Sequence, residues 1–192
     1  MNTKKRTQNK GFSLIELVVA LAVFGFVVVG MVGAMLAVID GNKKSRSLVT
    51  AMDNLNFALE SMTRELRVGN SYDCTAPVSG GTGDCAGGDD IIGFTSSDGD
   101  FIVYRLNTNL NRIERCGGIG FDCPDPNVDT NYVGMTGSTV VIDDLTFYVQ
   151  GSSNADNEQP RITIVVTGTA GTGETSSTFE IQTTITQRFP DV

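Results

Sequence analysis

Asp122, Asp125, Asn127, Asp129 and Asn131 form the densest set of oxygen ligands in the chain. Asp125, Asn127 and Asp129 stand at the alternate spacing of the first three ligands of a calcium loop. Such a loop then needs glycine at its sixth place and glutamate at its twelfth, where this chain has Thr130 and Thr136. The cluster therefore reads as solvated turn residues bonded to their own backbone, and no metal is expected. Asp89-Asp90 and Asp143-Asp144 are adjacent carboxylate pairs. Neighbouring side chains of a strand point to opposite faces, which argues against a shared acid–base site at the second pair. There is no His, which removes the commonest general base and the commonest zinc ligand together. The only lysines after Lys10 are Lys43 and Lys44. No catalytic residue and no cofactor are expected, and the chain does not read as an enzyme.

The remaining reactive groups are four cysteines, Cys74, Cys85, Cys116 and Cys123. An even number beyond an apolar segment points to an oxidising compartment, and three connectivities are open. The nearest-neighbour one, Cys74–Cys85 and Cys116–Cys123, closes two short loops rich in Gly, Asp and Pro and is the one expected. Zinc binding would call for C-x₂-C pairs or His, and neither is present.

Charge divides the chain. Residues 1–70 carry a formal +4 and residues 71–192 carry −12, which together give the net −8. An acidic body lacks the cationic surface that displaces counterions from phosphates, so no direct nucleic-acid partner is expected. The basic residues gather beside the apolar N-terminal stretch. Lys4, Lys5, Arg6 and Lys10 precede it without an acid among them, and from Phe12 to Ile39 only Ser13 and Glu16 interrupt it. Leu17–Ile39 is 23 residues without a charge. At about 1.5 Å per residue a helix of that length reaches roughly 35 Å, enough for a hydrocarbon core of about 30 Å. It also exceeds the apolar core of a secretory signal, and no A-x-A cleavage site follows it. Charge bias and cysteine usage both favour the N-terminus in the cytoplasm and the body outside. A carboxylate in this stretch is costly: Glu16 either lies close to the cytoplasmic face, partly solvated and at the positive end of the helix dipole, or has a reason beyond anchoring.

That reason is supplied by Lys10-Gly11-Phe12-Ser13-Leu14-Ile15-Glu16-Leu17, set between a short basic leader and an unbroken apolar helix. The segment resembles the type IV prepilin signal. The resemblance implies cleavage after Gly11 by a dedicated membrane peptidase, methylation of the new amine on Phe12, and a part for Glu16 in subunit assembly. Pilins and the pseudopilins of secretion and competence share this signal. Many major pilins carry a proline about two-thirds along the segment. This chain has none before Pro77 and has Gly25, Gly30 and Gly33 instead, which weaken a helix and let neighbouring backbones approach.

Past Asp40 the apolar positions Leu48, Met52, Leu55, Leu59, Met62 and Leu66 recur at helical spacing, which predicts an amphipathic helix. Gly69-Asn70 is its stop, since either residue tolerates a left-handed cap. Short strands follow. Ile91–Thr95 and Phe101–Leu106 flank a Ser97-Asp98-Gly99 turn, and Leu110–Arg115, Thr139–Val149, Arg161–Thr167 and Thr178–Thr186 come after. Loops are expected at 71–90 and 116–138. The predicted class is α+β: a long N-terminal helix, half transmembrane and half amphipathic, packed on an antiparallel β-sheet, as in pilins. The expected divisions are a leader at 1–11, a transmembrane and assembly helix at 12–39, its amphipathic continuation at 40–70, and a β-rich extracytoplasmic head at 71–192.

Tyr104-Arg105-Leu106 after the first hairpin and a closing Gln182–Arg188 strand faintly resemble minor pilins and J-type minor pseudopilins of type II secretion, and with the N-terminal resemblance the leading reading is a minor pilin or pseudopilin subunit. Its partners would be other pilins or pseudopilins, the prepilin peptidase and the membrane. It would be a single-pass inner-membrane protein that passes into a pilus or pseudopilus. The alternative is a membrane-tethered binding module that never polymerises.

Overall fold

The computed structural model describes residues 11–74, 83–118, 123, 131–153, 158–171 and 176–188. The chain divides into two compact units, Met1–Lys43 and Lys44–Val192, and the division falls inside helix α1 (Leu14–Val68). In the first unit every described residue is exposed. The helix continues without a break through Gly25, Gly30, Gly33 and Gly41, and a Cβ at any of the four would meet nothing within 4 Å. One apolar stretch of α1 is long enough to cross a membrane.

In the second unit the helical spacing read from the sequence becomes a buried face. Leu55, Met62 and Leu66 are fully enclosed, Leu59 nearly so, and Leu48 and Met52 pack at the margin. Ala51 and Ala58 complete the face, their small side chains letting the sheets approach. Each enclosed Leu or Met contributes about 1.5–3 kcal/mol.

Among the described residues nine strands follow: β1 (Asn70–Asp73), β2 (Cys85–Asp89), β3 (Ile91–Thr95), β4 (Phe101–Asn107), β5 (Arg112–Gly117), β6 (Val133–Gly134), β7 (Val140–Gln150), β8 (Arg161–Ala170) and β9 (Ser177–Thr186). They form two antiparallel sheets, ordered β1-β3-β4-β5-β6 and β2-β7-β8-β9. The fold class is thus α+β as the sequence implies, with the strands divided between two sheets. One core joins them: Tyr72, Phe94 and Tyr104 stack in series at 6.1 and 5.9 Å on the first sheet, and Phe147, Ile162 and Ile164 face inward from the second.

Several local features depart from the sequence reading. β1, β2 and β6 lie in stretches read as loops. β5 begins at Arg112 rather than Leu110, because Asn107 Oδ1 accepts from the amides of Asn109 and Leu110 (3.0 and 3.1 Å). Asn111, at φ 48°, then closes the turn. Helix α1 ends at Val68, ahead of Gly69-Asn70, but Gly69 is not the left-handed residue; Ser71 is, at φ 55°. Glycine is required at 69 by space, since a Cβ there would come 2.5 Å from Phe94 Cδ2. The Ser97-Asp98-Gly99 turn forms as read, with Gly99 at φ 88° and its amide bonded to the Ser96 carbonyl (3.0 Å).

Candidate functional site

At the N-terminus, Ser13 precedes the first residue of α1, and its carbonyl accepts the Leu17 amide (3.2 Å). Serine suits this position because its side chain competes well for the unpaired amides of a first turn. Glu16 lies in that first turn, where a carboxylate also meets the positive end of the helix dipole. It is exposed, and among the described residues none bonds its carboxylate. Phe12 is 77% exposed. A Cβ at Gly11 would meet nothing within 4 Å, and its backbone is not left-handed, so nothing among the described residues demands glycine there. The basic residues Lys4, Lys5, Arg6 and Lys10 lie outside the described residues.

Cys74 and Cys85 stand at disulfide distance with Cα atoms 6.1 Å apart, and Cys116 and Cys123 do so at 5.6 Å. Cys74 follows β1 of the first sheet and Cys85 opens β2 of the second, so this pair ties an edge of one sheet to an edge of the other. Of the calcium-like cluster, Asp122, Asp125, Asn127 and Asp129 lie outside the described residues, while Asn131 is left-handed at φ 79°. Among the described residues no group of three His, Cys, Asp or Glu side chains is placed to hold a metal ion.

The adjacent acids behave differently from simple strand neighbours. A bulge between Ile142 and Asp144 interrupts the alternation of β7, and both carboxylates are exposed. Asp143 Oδ2 accepts from Thr169 (2.9 Å) and Asp144 Oδ2 from Thr146 (3.0 Å), so they serve separate threonines. Partial burial, then the hydrogen bond and repulsion from Asp89, push the Asp90 carboxyl above its ordinary value, and repulsion from Asp144 adds to this.

Two polar networks inside the head were not anticipated. Glu65 on α1 receives the Tyr104 hydroxyl (2.6 Å) and the Arg115 guanidinium (3.1 and 3.2 Å), which fixes the helix to β4 and β5. Burial, followed by the Glu65 hydrogen bond and charge, pushes the Tyr104 hydroxyl far above its ordinary value. Glu114, only 1% exposed, receives Arg105 on one oxygen (2.7 Å) and Arg112 on the other (2.6 Å), and Arg105 lies 3.7 Å over the Tyr132 ring. The sequence signal was present: Arg105, Arg112, Glu114 and Arg115 fall in two strands joined by a short turn, where cross-strand partners meet. The register does pair Arg105 with Glu114.

Residues 6–32 match the family model of the prokaryotic N-terminal methylation motif. Neither the curated proteins nor the solved structures include a match to this chain. Residues 6–32 thus carry a methylation motif of the kind found in type IV pilin-like prepilins, and the motif points to a structural protein rather than an enzyme.

Proposed function

We propose that this chain is a minor pilin or pseudopilin subunit. It inserts with its N-terminus in the cytoplasm, is cut after Gly11 and methylated on Phe12, and enters a filament through its N-terminal helix. Residues 1–11 are the leader, 12–39 the membrane and assembly helix, 40–70 its amphipathic continuation, and 71–192 the exported head, whose two cysteine pairs close as disulfides outside the cell. The observation that carries the reading is the conjunction of the methylation motif at 6–32 with a membrane-length apolar helix whose acid in the first turn, Glu16, is unpaired among the described residues.

Glu16 supplies register in this reading. Moving apolar helices from lipid into a bundle gains little hydrophobic energy, since both surroundings are apolar. Cleavage creates an amine on Phe12 that is cationic at neutral pH, and methylation by itself leaves that charge in place. A Glu16 carboxylate on one subunit and a Phe12 amine on the next then select one alignment, because an unpaired charge in an apolar bundle costs several kcal/mol and a paired one much less. Intact-mass measurement of native protein should give a chain beginning at Phe12 and carrying one methyl group. A mature start at Met1 or after Ala37 would overturn the prepilin reading. In the same preparations Glu16→Ala should leave insertion and cleavage intact while sharply reducing crosslinks to filament neighbours. Normal incorporation of that variant would leave Glu16 as an interfacial residue only.

A further inference from the structure

The outward face of the second sheet differs chemically from the rest of the acidic head. Because β7 and β8 turn Leu145, Phe147, Val149, Ile162, Ile164 and Val166 into the core, the alternate residues face out. The strand register sets them in rows: Gln150 beside Arg161, then Tyr148–Thr163–Thr184, then Thr146–Val165–Gln182. All of these residues but Thr146 line a shallow concavity of about 460 Å³. None of its described lining residues is acidic, although residues 71–192 carry −12. The first carboxylates on this face, Asp144 and Glu180, come one row further on, either side of Thr167.

The polar groups here are held in place. Thr163 and Thr184 hydroxyls bond each other at 3.0 Å, and Arg161 donates to Gln150 Oε1 at 2.5 Å. Gly88, left-handed at φ 80°, lies against Tyr148: a Cβ there would come 2.5 Å from Thr146 Cγ2 and 2.7 Å from Tyr148 Cε1. Residue 88 is therefore glycine by conformation and by space, and β2 closes one side of the tyrosine ring.

We propose that this face is a binding site for a neutral oligosaccharide. An aromatic ring offers an apolar face for the C–H side of a sugar ring. Amide and hydroxyl side chains donate and accept at once, as do the vicinal hydroxyls they would meet. Rigid strands fix these groups before binding, which lowers its entropic cost. Other ligand classes fit less well. Nucleic acid requires a row of cations, and this face holds one guanidinium, already engaged with Gln150. An apolar helix would find only Val165 and the Tyr148 ring. The site is independent of filament assembly and stands or falls separately from it.

The test is calorimetric titration of the full chain, in a zwitterionic detergent free of sugar, with chitohexaose, cellohexaose and maltohexaose. There is no Trp, and Tyr72, Tyr104 and Tyr132 are buried, so a change in tyrosine emission on binding reports Tyr148. At least one hexasaccharide should give saturable heat and a matching emission change. Tyr148→Ala and the exposed Gln182→Ala should each weaken that affinity about tenfold, while Val133→Ser on the first sheet leaves it unchanged. Absence of heat with all three sugars at about 10 mM would overturn the proposal. So would equal binding by folded Gln182→Ala. Heat from polyglutamate alone, lost in Arg161→Gln, would identify an anion site and also overturn it.

Discussion

Glu114 shows how a single carboxylate can be enclosed without being neutralised. Burial alone would raise its pKa, but hydrogen bonds from Arg105 and Arg112, with Asn107, outweigh burial and hold the carboxyl below its ordinary value of 4.5. The consequence for stability has a definite sign. A depressed folded value means that the contribution is fully present above the unfolded value and is lost as pH falls through the lower folded one. Removing the charge leaves two guanidiniums facing each other, with Arg105 itself only 7% exposed. Glu114→Gln should therefore cost about 3–5 kcal/mol at pH 7, the range for breaking a buried pair. Urea unfolding at pH 7 and pH 3 checks this, and the variant should lose less stability than the parent between the two. Equal losses, with unchanged stability at pH 7, would mean that the pair contributes nothing. The pairing behind this network was legible in the sequence but its burial was not, for a simple reason. Arg105 and Glu114 are legible as strand residues, but their outward or inward sense depends on which face the helix covers.

At the scale of elements, legibility followed the strength of the periodic signal. The α1 stripe was legible because many residues repeat one rule, and the strand expected at Arg161–Thr167 forms as part of β8, with Ile162, Ile164 and Val166 buried at alternate positions. β1, β2 and β6 carry no such repeat: Asn-Ser-Tyr-Asp, Cys-Ala-Gly-Gly-Asp and Val-Gly become strands only because β3, β7 and β5 offer them open edges. The same competition explains the helix stop. Its place was legible at Gly69, its cause was not, because Phe94 is distant in sequence. The last carbonyls are closed by tertiary partners: Tyr72 donates to Leu66 and Gly69 oxygens (2.6 and 2.7 Å), and the Arg188 amide to Arg67 (2.8 Å). Gly69→Ala should accordingly lower stability by about 1–3 kcal/mol through overpacking against Phe94, whereas Gly87→Ala, where a Cβ meets nothing within 4 Å, should be near neutral in the same thermal melts.

The two units of the whole molecule ask for different surroundings. Among the described residues nearly all exposed large apolar side chains lie between Phe12 and Ile39; beyond them only Val49, Phe57, Leu110, Val133 and Val141 stand out, scattered singly. A continuous apolar surface of that kind is stable in lipid or against other apolar helices and is a liability in water. Isolated exposed residues are ordinary on a soluble surface. The second unit also contains its own closed core, formed by residues from Ala51 to Ile185, and both cysteine pairs. A chain beginning at Lys44 should therefore fold and remain monomeric in buffer without detergent, while the full chain requires detergent or membrane. Sedimentation and circular dichroism of the two, prepared under oxidising conditions, decide the matter. Reduction of the shortened chain should then lower its stability by about 2–4 kcal/mol for each bridge that was formed. Aggregation of the oxidised Lys44 chain, or a melt unchanged by reduction, would show that the head depends on residues 12–43 or that its cysteines do not bridge in solution.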